Sequence, residues 1–255
     1  MEMSENKNVA VENGVATLKL FIEADECDMT ASWRPSAAVT AMQRATHYSR
    51  EALGIDWSSL AEQGALWVVS RVNVKLDRMP HMGEEIILRA TPLTPVKALF
   101  PWKFEFLDSD NNPLGEGETL WNLMDASTRR IAIRPEITAK IPQSAQGVRS
   151  VALPVAAREL EGIPKRHVLS PVYSDLDING HASHLRYIDW CCNELGASVM
   201  NQYRLQEFRI SYMQEVRAGQ SVDTELRIDG TRFSFSGYHG ESPAFVIDGT
   251  LSSQE

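Results

Sequence analysis

Carboxylate, amide and imidazole side chains are concentrated in residues 174–181 of this 255-residue chain, with the sequence SDLDINGH. Alternate residues of an extended segment point the same way, so Asp177, Asn179 and His181 can face one substrate. Gly180 allows close approach of the backbone. An apolar helical pattern follows, and free amides at a helix start attract negative charge. We therefore predict a catalytic cluster in which the amides of Gly180 and His181 stabilise an oxyanion.

This stretch and the residues after it carry a family resemblance. Residues 175–190, DLDINGHASHLRYIDW, resemble the signature D-L-D-x-N-x-H-x-x-x-x-[KR]-Y-x-x-W of the acyl-acyl carrier protein (ACP) thioesterases. In the first half of the chain, residues 66–71, LWVVSR, are similar to the W-V-V-[ST]-R strand of that family. Residues 83–84 and 127–130 also match, which is more than a single short motif would give by chance.

The resemblance implies hydrolysis of a fatty acyl-ACP thioester, with release of free fatty acid and holo-ACP. No cofactor is expected, because the phosphopantetheine arm belongs to the substrate. The family carries Tyr-x-x-Glu-Cys on a later strand, and residues 212–216 read YMQEV. Glu215 matches, but Val216 stands where the family has cysteine. A cysteine nucleophile paired with His181 is therefore ruled out at this position.

A carboxylate mechanism survives that substitution. We predict Glu215 as the general base, or alternatively as the nucleophile, on a strand over residues 207–216. Asn179 and His181 would place the water or the thioester, and Asp177 would orient the imidazole or the amide. Each of these residues by itself also fits an ordinary structural role, such as a helix cap for Asp177.

The order of predicted elements repeats along the chain. A strand, a helix from Pro35 and an antiparallel meander are followed by a connection rich in Pro, Ser and Gly, with a short helix at 156–160. A strand, a helix over 181–199 and further strands then follow. The predicted organisation is a flexible tail (1–14), an N-terminal unit that binds the acyl chain (15–142), a linker (143–164) and a catalytic C-terminal unit (165–255).

This repeat predicts an α+β protein of two tandem units, each a long helix wrapped by an antiparallel sheet, with the sheets joined edge to edge or packed together. The resemblance implies the same arrangement, a double hotdog fold. A single antiparallel barrel would leave both helices unexplained. When the copies are superposed, Asp28-x-Thr30-x-Ser32 falls opposite Asp177-x-Asn179-x-His181. We therefore predict one catalytic centre per chain, in the C-terminal unit.

Apolar and aromatic residues are dense in the predicted strands of the first unit. Alternation on strands predicts that most of them form the core. We expect Trp67, Val69 and Trp121 to line a channel for the acyl chain, where each buried methylene contributes about 0.8 kcal/mol.

Composition limits the other functions. The net charge of −9 opposes non-specific binding of nucleic acid. No apolar run reaches membrane-spanning length, so no membrane span is expected. The three cysteines (Cys27, Cys191 and Cys192) and the histidines lack metal-ligand spacing, and no nucleotide-binding glycine motif occurs. We predict no metal, no cofactor and a reducing cytoplasmic location.

An acidic ACP partner would need a local basic patch on this chain. Candidates are Arg129, Arg130, Arg134, Lys140, Lys165, Arg166 and Arg186. A homodimer is a further option, since single hotdog units usually pair. The alternatives left open are an acyl-CoA thioesterase, a dehydratase of the 3-hydroxyacyl-ACP type and a non-catalytic acyl-binding module.

Overall fold

A computed structural model describes residues 8–142 and 153–253. Within these ranges, eleven strands form one continuous antiparallel sheet in the order β1-β2-β4-β5-β6-β3-β8-β11-β10-β9-β7. The N-terminal unit comprises β1 (Val9–Glu12), β2 (Val15–Phe21), α1 (Pro35–Ala52), α2 (Trp57–Ala61), β3 (Ala65–Leu76), β4 (Glu85–Pro92), β5 (Leu99–Asp108), β6 (Pro113–Asp125) and α3 (Pro135–Thr138).

The C-terminal unit repeats the strand, helix and meander order of the first. It comprises β7 (Lys165–Leu169), α4 (Tyr187–Leu195), α5 (Ala197–Gln202), β8 (Tyr203–Tyr212), β9 (Val222–Asp229), β10 (Arg232–His239) and β11 (Ser242–Ser253). The predicted α+β repeat is therefore present. The prediction of a flexible tail over residues 1–14 is wrong for part of that range, because Val9–Glu12 forms an edge strand that pairs with β2.

The long helix of the first unit is explained by its sequence pattern. Pro35 occupies the first helical turn, where its missing N–H is not needed. Buried side chains recur at helical spacing, and this stripe packs on β2 and β4. The helix therefore closes the core of the N-terminal unit against its sheet.

The two units join edge to edge through β3 and β8. Arg71 pairs with Ser211 and Lys75 with Glu207 in antiparallel register. This pairing satisfies the backbone groups of two strands that would otherwise be open edges. Of the two predicted ways to join the sheets, the edge-to-edge arrangement is the correct one.

Two predicted boundaries around the candidate site are wrong. The helix predicted over 181–199 begins only at Tyr187 and is interrupted at Gly196, whose φ of 90° marks the break between α4 and α5. The strand predicted over 207–216 ends at Tyr212, so Glu215 lies in the following loop. In both places the backbone N–H and carbonyl groups form hydrogen bonds within or between loops instead of extending a helix or a strand ladder.

The predicted linker contains no helix at residues 156–160. This segment is extended and its amides donate to side chains of the C-terminal sheet: Ala157 N to Ser211 Oγ (3.0 Å), Arg158 N to Asp248 Oδ2 (3.1 Å) and Leu160 N to Ser234 Oγ (2.9 Å). Polar side chains on the sheet thus supply the acceptors that a helix would have supplied internally. The rest of the predicted linker, residues 143–152, lies outside the described residues.

None of the helices in the described ranges combines the length and apolar character needed to cross a membrane.

Candidate active site

The loop that carries Asp177, Asn179 and His181 is a closed turn between a 3-10 helix and α4. Asp177 N donates to the carbonyl oxygen of His181 at 2.8 Å. The carboxylate of Asp177 accepts from the amides of Asn179 (2.8 Å) and His181 (3.5 Å). Gly180 adopts φ 75°, the left-handed region that favours glycine. Asp177 therefore organises this loop, because its N–H and its carboxylate both bond to backbone groups of the loop.

The prediction of an oxyanion site rests on the premise that Gly180 and His181 begin a helix, and this premise is wrong. The amide of Gly180 donates to the carbonyl of Asp177 at 3.0 Å, and that of His181 donates to the Asp177 carboxylate. The helix starts at Tyr187, six positions after His181. These two amides are thus not the free N–H groups of a helix N-terminus, because the turn itself uses them.

Glu215 meets His181 across the loop that follows β8. Oε2 of Glu215 lies 3.3 Å from Nε2 of His181, and both side chains keep contact with solvent. Ala182 N donates to the carbonyl of Val216 at 2.7 Å, and Ala218 N donates to that of Gly180 at 3.2 Å. These backbone bonds fix the two loops side by side, and the imidazole and carboxylate that sequence places 34 positions apart become neighbours.

Two guanidinium groups flank the Glu215 carboxylate. Arg217 Nη2 donates to Oε2 at 3.0 Å, and Arg129 Nη2 donates to Oε1. Arg129 comes from the loop after β6 in the N-terminal unit and has a φ of 56°, which is uncommon for a side-chain-bearing residue. Both units therefore contribute to this site, and charge-assisted hydrogen bonds hold the carboxylate.

The N-terminal unit contains the same loop without the same chemistry. Asp28 N donates to Ser32 O at 2.9 Å, and the Asp28 carboxylate accepts from Thr30 N (2.8 Å) and Ser32 N (3.2 Å). Ala31 adopts φ 60° where the second copy has glycine. The superposition predicted from sequence is confirmed bond by bond.

The copies also correspond at the position of the candidate base. Trp33 N donates to Pro80 O at 2.8 Å, as Ala182 N donates to Val216 O, so Met79 occupies the place of Glu215. Met79 is buried, with 4% exposure. The first loop thus has threonine, serine and methionine where the second has asparagine, histidine and glutamate, and only the second contains a base.

His184, which the sequence did not single out, is packed beside the site between two aromatic rings. Its ring meets those of Trp121 (centroids 5.8 Å apart) and Tyr212 (6.1 Å) edge to face. The hydroxyl of Tyr212 donates to the carbonyl oxygen of His184 at 2.8 Å. The pKa of His184 is lowered to about 4, mainly by burial; the charge of Asp177 opposes this shift and that of Arg50 adds to it.

This histidine predicts a pH-dependent stability. Because the folded-state pKa of His184 is about 4 and an unfolded histidine has about 6.5, the unfolded chain binds more protons between these values. The free energy of unfolding should therefore fall by up to about 3 kcal/mol as the pH drops from about 6.5 to about 4. Urea titrations across this range should show a shallower fall for His184→Gln. His47→Gln, on an exposed face of α1, is the control, and equal slopes for His184→Gln and wild type would contradict the prediction.

The predicted acyl-lining residues lie together in the N-terminal unit. Val69 and Trp121 are buried, and Trp67 is partly buried against Phe100, with ring centroids 4.8 Å apart. The indoles of Trp67 and Trp121 both contact the guanidinium of Arg50, a residue that the sequence did not single out. The sequence did contain a signal for the burial of Arg50, since this residue follows Met42 and Thr46 at four-residue spacing on the buried face of α1.

The remaining candidates divide by their contacts. Among the basic candidates, Arg134, Arg166 and Arg186 form ion pairs with Asp125, Glu225 and Asp189. Lys140 donates to Gly54 O, and Lys165 lies 3.9 Å from Glu194. An open groove of about 500 Å³ beside β7, β9 and the end of β10 is lined by Arg166 and contains none of the predicted catalytic or acyl-lining residues.

The three thiols are free in the structure. Burial raises the pKa of Cys192 to about 12 and that of Cys191 well above its ordinary value, so neither is poised as a nucleophile. Within the two described ranges, no group of three or more histidine, cysteine, aspartate or glutamate side chains is placed to hold a metal ion.

Comparison with known protein families matches most of the chain. The family described as the acyl-ACP thioesterase N-terminal domain matches residues 15–141, and the acyl-ACP thioesterase C-terminal domain matches residues 159–242. The palmitoyl-acyl carrier protein thioesterase of Arabidopsis thaliana is 24% identical over 170 residues, which are 60% of this chain and 39% of that protein. The dodecanoyl-[acyl-carrier-protein] hydrolase of Cinnamomum camphora is 24% identical over 180 residues, 67% and 47% of the two lengths.

Solved structures share the architecture. An acyl-ACP thioesterase from Bacteroides thetaiotaomicron superposes with a TM-score of 0.83 at 19% identity, covering 94% of this chain and 98% of that one. The 12:0-ACP thioesterase from Umbellularia californica gives 0.80 at 18% identity, with 96% and 100% covered. The predicted double hotdog fold is thereby confirmed. The chain spans less than half the length of the two plant relatives aligned by sequence.

Proposed function

This chain belongs to the acyl-ACP thioesterase family, and from that premise we propose that it hydrolyses fatty acyl-ACP to free fatty acid and holo-ACP, ending fatty-acid synthesis. The observation that carries the proposal is the 3.3 Å contact between Glu215 and His181, with Asn179 exposed on the same loop as His181. A carboxylate and an imidazole in contact, with an amide on the same loop, can support water-mediated cleavage of a thioester.

In the proposed mechanism Glu215 acts as general base. Its carboxylate takes a proton from water while the water oxygen attacks the thioester carbonyl carbon. The tetrahedral oxyanion then collapses, the carbon–sulfur bond breaks, and the pantetheine thiolate leaves and takes up a proton. His181 and Asn179 position the water and the thioester, and Asp177 orients them by fixing their loop.

An oxyanion donor is still needed, because the amides of Gly180 and His181 serve the turn. The side-chain amide of Asn179 fits this role. Its Nδ2 lies 3.5 Å from Asp177 Oδ2, and rotation of this exposed side chain can turn the donor to a substrate oxygen, whereas the backbone amides are fixed by the turn. A preorganised donor of this kind contributes by meeting charge that develops only in the transition state.

The carrier partner would dock where basic residues meet the site. Arg129, Arg130 and Arg134 follow β6 on the loop that reaches Glu215. ACP is acidic, and complementary charge accelerates association. We assign the acyl chain to the N-terminal unit beside Trp67, Val69 and Trp121, whose burial supports an apolar environment.

The proposal is tested by supplying the full chain with hexadecanoyl-ACP, hexadecanoyl-CoA and 3-hydroxyhexadecanoyl-ACP. Free thiol is followed with a chromogenic disulfide and the organic product by mass spectrometry. Thiol and fatty acid from the ACP substrates, at a higher kcat/KM than from the CoA thioester, are expected. Faster turnover of the CoA thioester would favour an acyl-CoA thioesterase, an enoyl product a dehydratase, and binding without thiol release a non-catalytic module. Each of these three outcomes would overturn the proposal.

The remaining expectations also belong to this proposal. The reaction as written needs neither metal nor cofactor, since the chain's own side chains supply base and donors. Three free cysteines support a reducing, cytoplasmic location. One chain supplies both halves of the site, so a homodimer would not be required for activity. Light scattering at several protein concentrations measures that association.

A further inference from the structure

Arg50 places a charged group inside the N-terminal unit. It lies in the last turn of α1 and is only 5% exposed. Its Cζ lies 4.3, 4.8 and 4.0 Å from the ring centroids of Trp67, Trp102 and Trp121. A guanidinium is attracted to indole faces, and the C-terminal end of a helix also favours a cation. The position is therefore compatible with a charged arginine.

The three indoles are themselves fixed in place. Trp67 Nε1 donates to Ile55 O at 2.9 Å, Trp102 Nε1 to Ser49 Oγ at 3.2 Å and Trp121 Nε1 to Thr119 Oγ1 at 3.0 Å. Each ring thus directs its N–H away from Arg50 and offers it only a face. We call Trp67, Trp102 and Trp121 the indole box.

Two nitrogens of the Arg50 guanidinium lack hydrogen-bond partners in the described part of the chain. Nε and Nη2 are buried, and neither has an acceptor among residues 8–142 and 153–253. Indole faces attract the positive charge but do not replace oxygen acceptors in the guanidinium plane. Buried arginines are normally paired, because a desolvated donor without an acceptor is costly. Two adjacent buried donors of one charged group are therefore left without an acceptor by the described residues.

The ring of Trp121 lies between the Arg50 guanidinium and His184, which follows the candidate catalytic loop. Trp121 contacts Arg50 with one face and meets the ring of His184 at 5.8 Å. His184 follows His181 by three residues and is tied to Tyr212 through its carbonyl oxygen. The charge of Arg50 is close enough to act on His184. A group bound at Glu215 and His181 would thus extend toward the indole box.

We propose that Arg50 is a specificity-determining residue that binds an oxygen atom on the acyl chain, so that the enzyme prefers hydroxylated acyl thioesters to plain hydrocarbon ones. This inference rests on the proposed thioesterase function. A hydrocarbon chain would leave both donors unpaired and desolvate them further. A hydroxyl oxygen accepts from Nε or Nη2, and hydrogen bonds that involve a charged group are the strong ones.

The test compares decanoyl-ACP, 3-hydroxydecanoyl-ACP and ω-hydroxydecanoyl-ACP with wild type, Arg50→Met and Arg50→Lys. Wild type should turn over at least one hydroxylated substrate with a kcat/KM about 10- to 100-fold above decanoyl-ACP. Arg50→Met, which keeps an unbranched apolar stem and removes the guanidinium, should remove that preference and raise kcat/KM for decanoyl-ACP. Arg50→Lys should keep part of it. The hydroxylated substrate that is preferred shows whether Arg50 binds a hydroxyl group near the thioester or at the chain end.

Two controls separate the outcomes. His47→Gln, three residues earlier on an exposed part of α1, should keep the wild-type preference. The indole box gives a second readout in wild type, since titration with 3-hydroxydecanoic, ω-hydroxydecanoic and decanoic acid should change tryptophan emission with a lower Kd for a hydroxylated acid. This readout does not depend on Arg50→Met being folded.

A preference of wild type for decanoyl-ACP would overturn the inference, as would a uniform change of kcat/KM for all three substrates in folded Arg50→Met. Failure of wild type to hydrolyse any of them would instead overturn the proposed function. In that case the emission titration decides the role of Arg50 alone, and equal Kd values for the three acids would reject it.

Discussion

Replacement of Glu215 by glutamine is expected to lower kcat/KM for acyl-ACP hydrolysis by about 10²- to 10⁴-fold. Glutamine keeps the shape of the side chain and an oxygen that can accept from Arg129 or Arg217, but it cannot take a proton from water. Because the water is activated only in the transition state, the loss should fall on kcat more than on KM. Steady-state thiol release at several substrate concentrations measures both.

Glu241→Gln provides the matched control for this substitution. Glu241 is exposed on the turn between β10 and β11 and touches none of the site residues described above. Its variant should keep wild-type kinetics, and urea unfolding should show that both variants are folded. Near-normal turnover by folded Glu215→Gln would mean that another group activates the water.

The same residue can be tested as a nucleophile by turnover in ¹⁸O-labelled water. A covalent acyl-glutamyl anhydride would be opened by water at either carbonyl, so repeated turnovers would place label in the Glu215 carboxylate. A general base never bonds covalently to the acyl group and stays unlabelled. Mass spectrometry of the peptide that contains Glu215 distinguishes the two roles, and we expect no label.

Replacement of His181 by alanine is expected to lower kcat/KM by at least about 100-fold. In the proposed mechanism the imidazole positions the water and the thioester beside Glu215, whose Oε2 lies 3.3 Å from its Nε2. Alanine removes that contact and leaves the backbone of the turn unchanged, because the turn is held by main-chain groups and by Asp177. The fold should therefore survive the loss of activity.

The duplicated loop supplies an internal control for His181→Ala. Ser32 occupies the corresponding position of the first copy, with the same backbone contacts to its aspartate. Ser32→Ala should keep kcat/KM within about twofold of wild type, since the first copy has buried Met79 at the position of the candidate base Glu215. Equal losses in the two variants would mean that His181 contributes to loop structure and not to chemistry.

The duplicated loop also shows what repetition in a sequence can reveal. The pattern Asp-x-Thr-x-Ser was recognisable as a counterpart of Asp-x-Asn-x-His because one aspartate organises each turn through its own backbone. That local requirement keeps the aspartate in both copies. The side chains at the other positions are free to differ, and so the first copy lacks the asparagine, histidine and glutamate of the second.

Local patterns predicted the secondary structure well where a single face is buried. The helical stripe predicts the start of α1 at Pro35, and alternation predicts strands over 85–90 and 99–107; the observed α1, β4 and β5 agree with these limits within two residues. Prediction failed where polar side chains replace backbone partners, as at residues 156–160, which bind Ser211, Asp248 and Ser234. It also failed at His181, whose amide is held by the turn and not by a helix.

The sequence by itself predicted the two-unit repeat and the Asp-x-Asn-x-His turn, because periodicity and short-range turn chemistry are local, and it supplied Glu215 as the candidate base. Only the tertiary structure decided that Arg129 of one unit pairs with Glu215 of the other, because the pairing of β3 with β8 brings the two units together. It also decided that Arg50 packs among three indoles of its own unit, with two nitrogens that lack an acceptor in the described part of the chain. Periodicity shows which face of an element is buried, but packing across the whole sheet selects the partner that covers it.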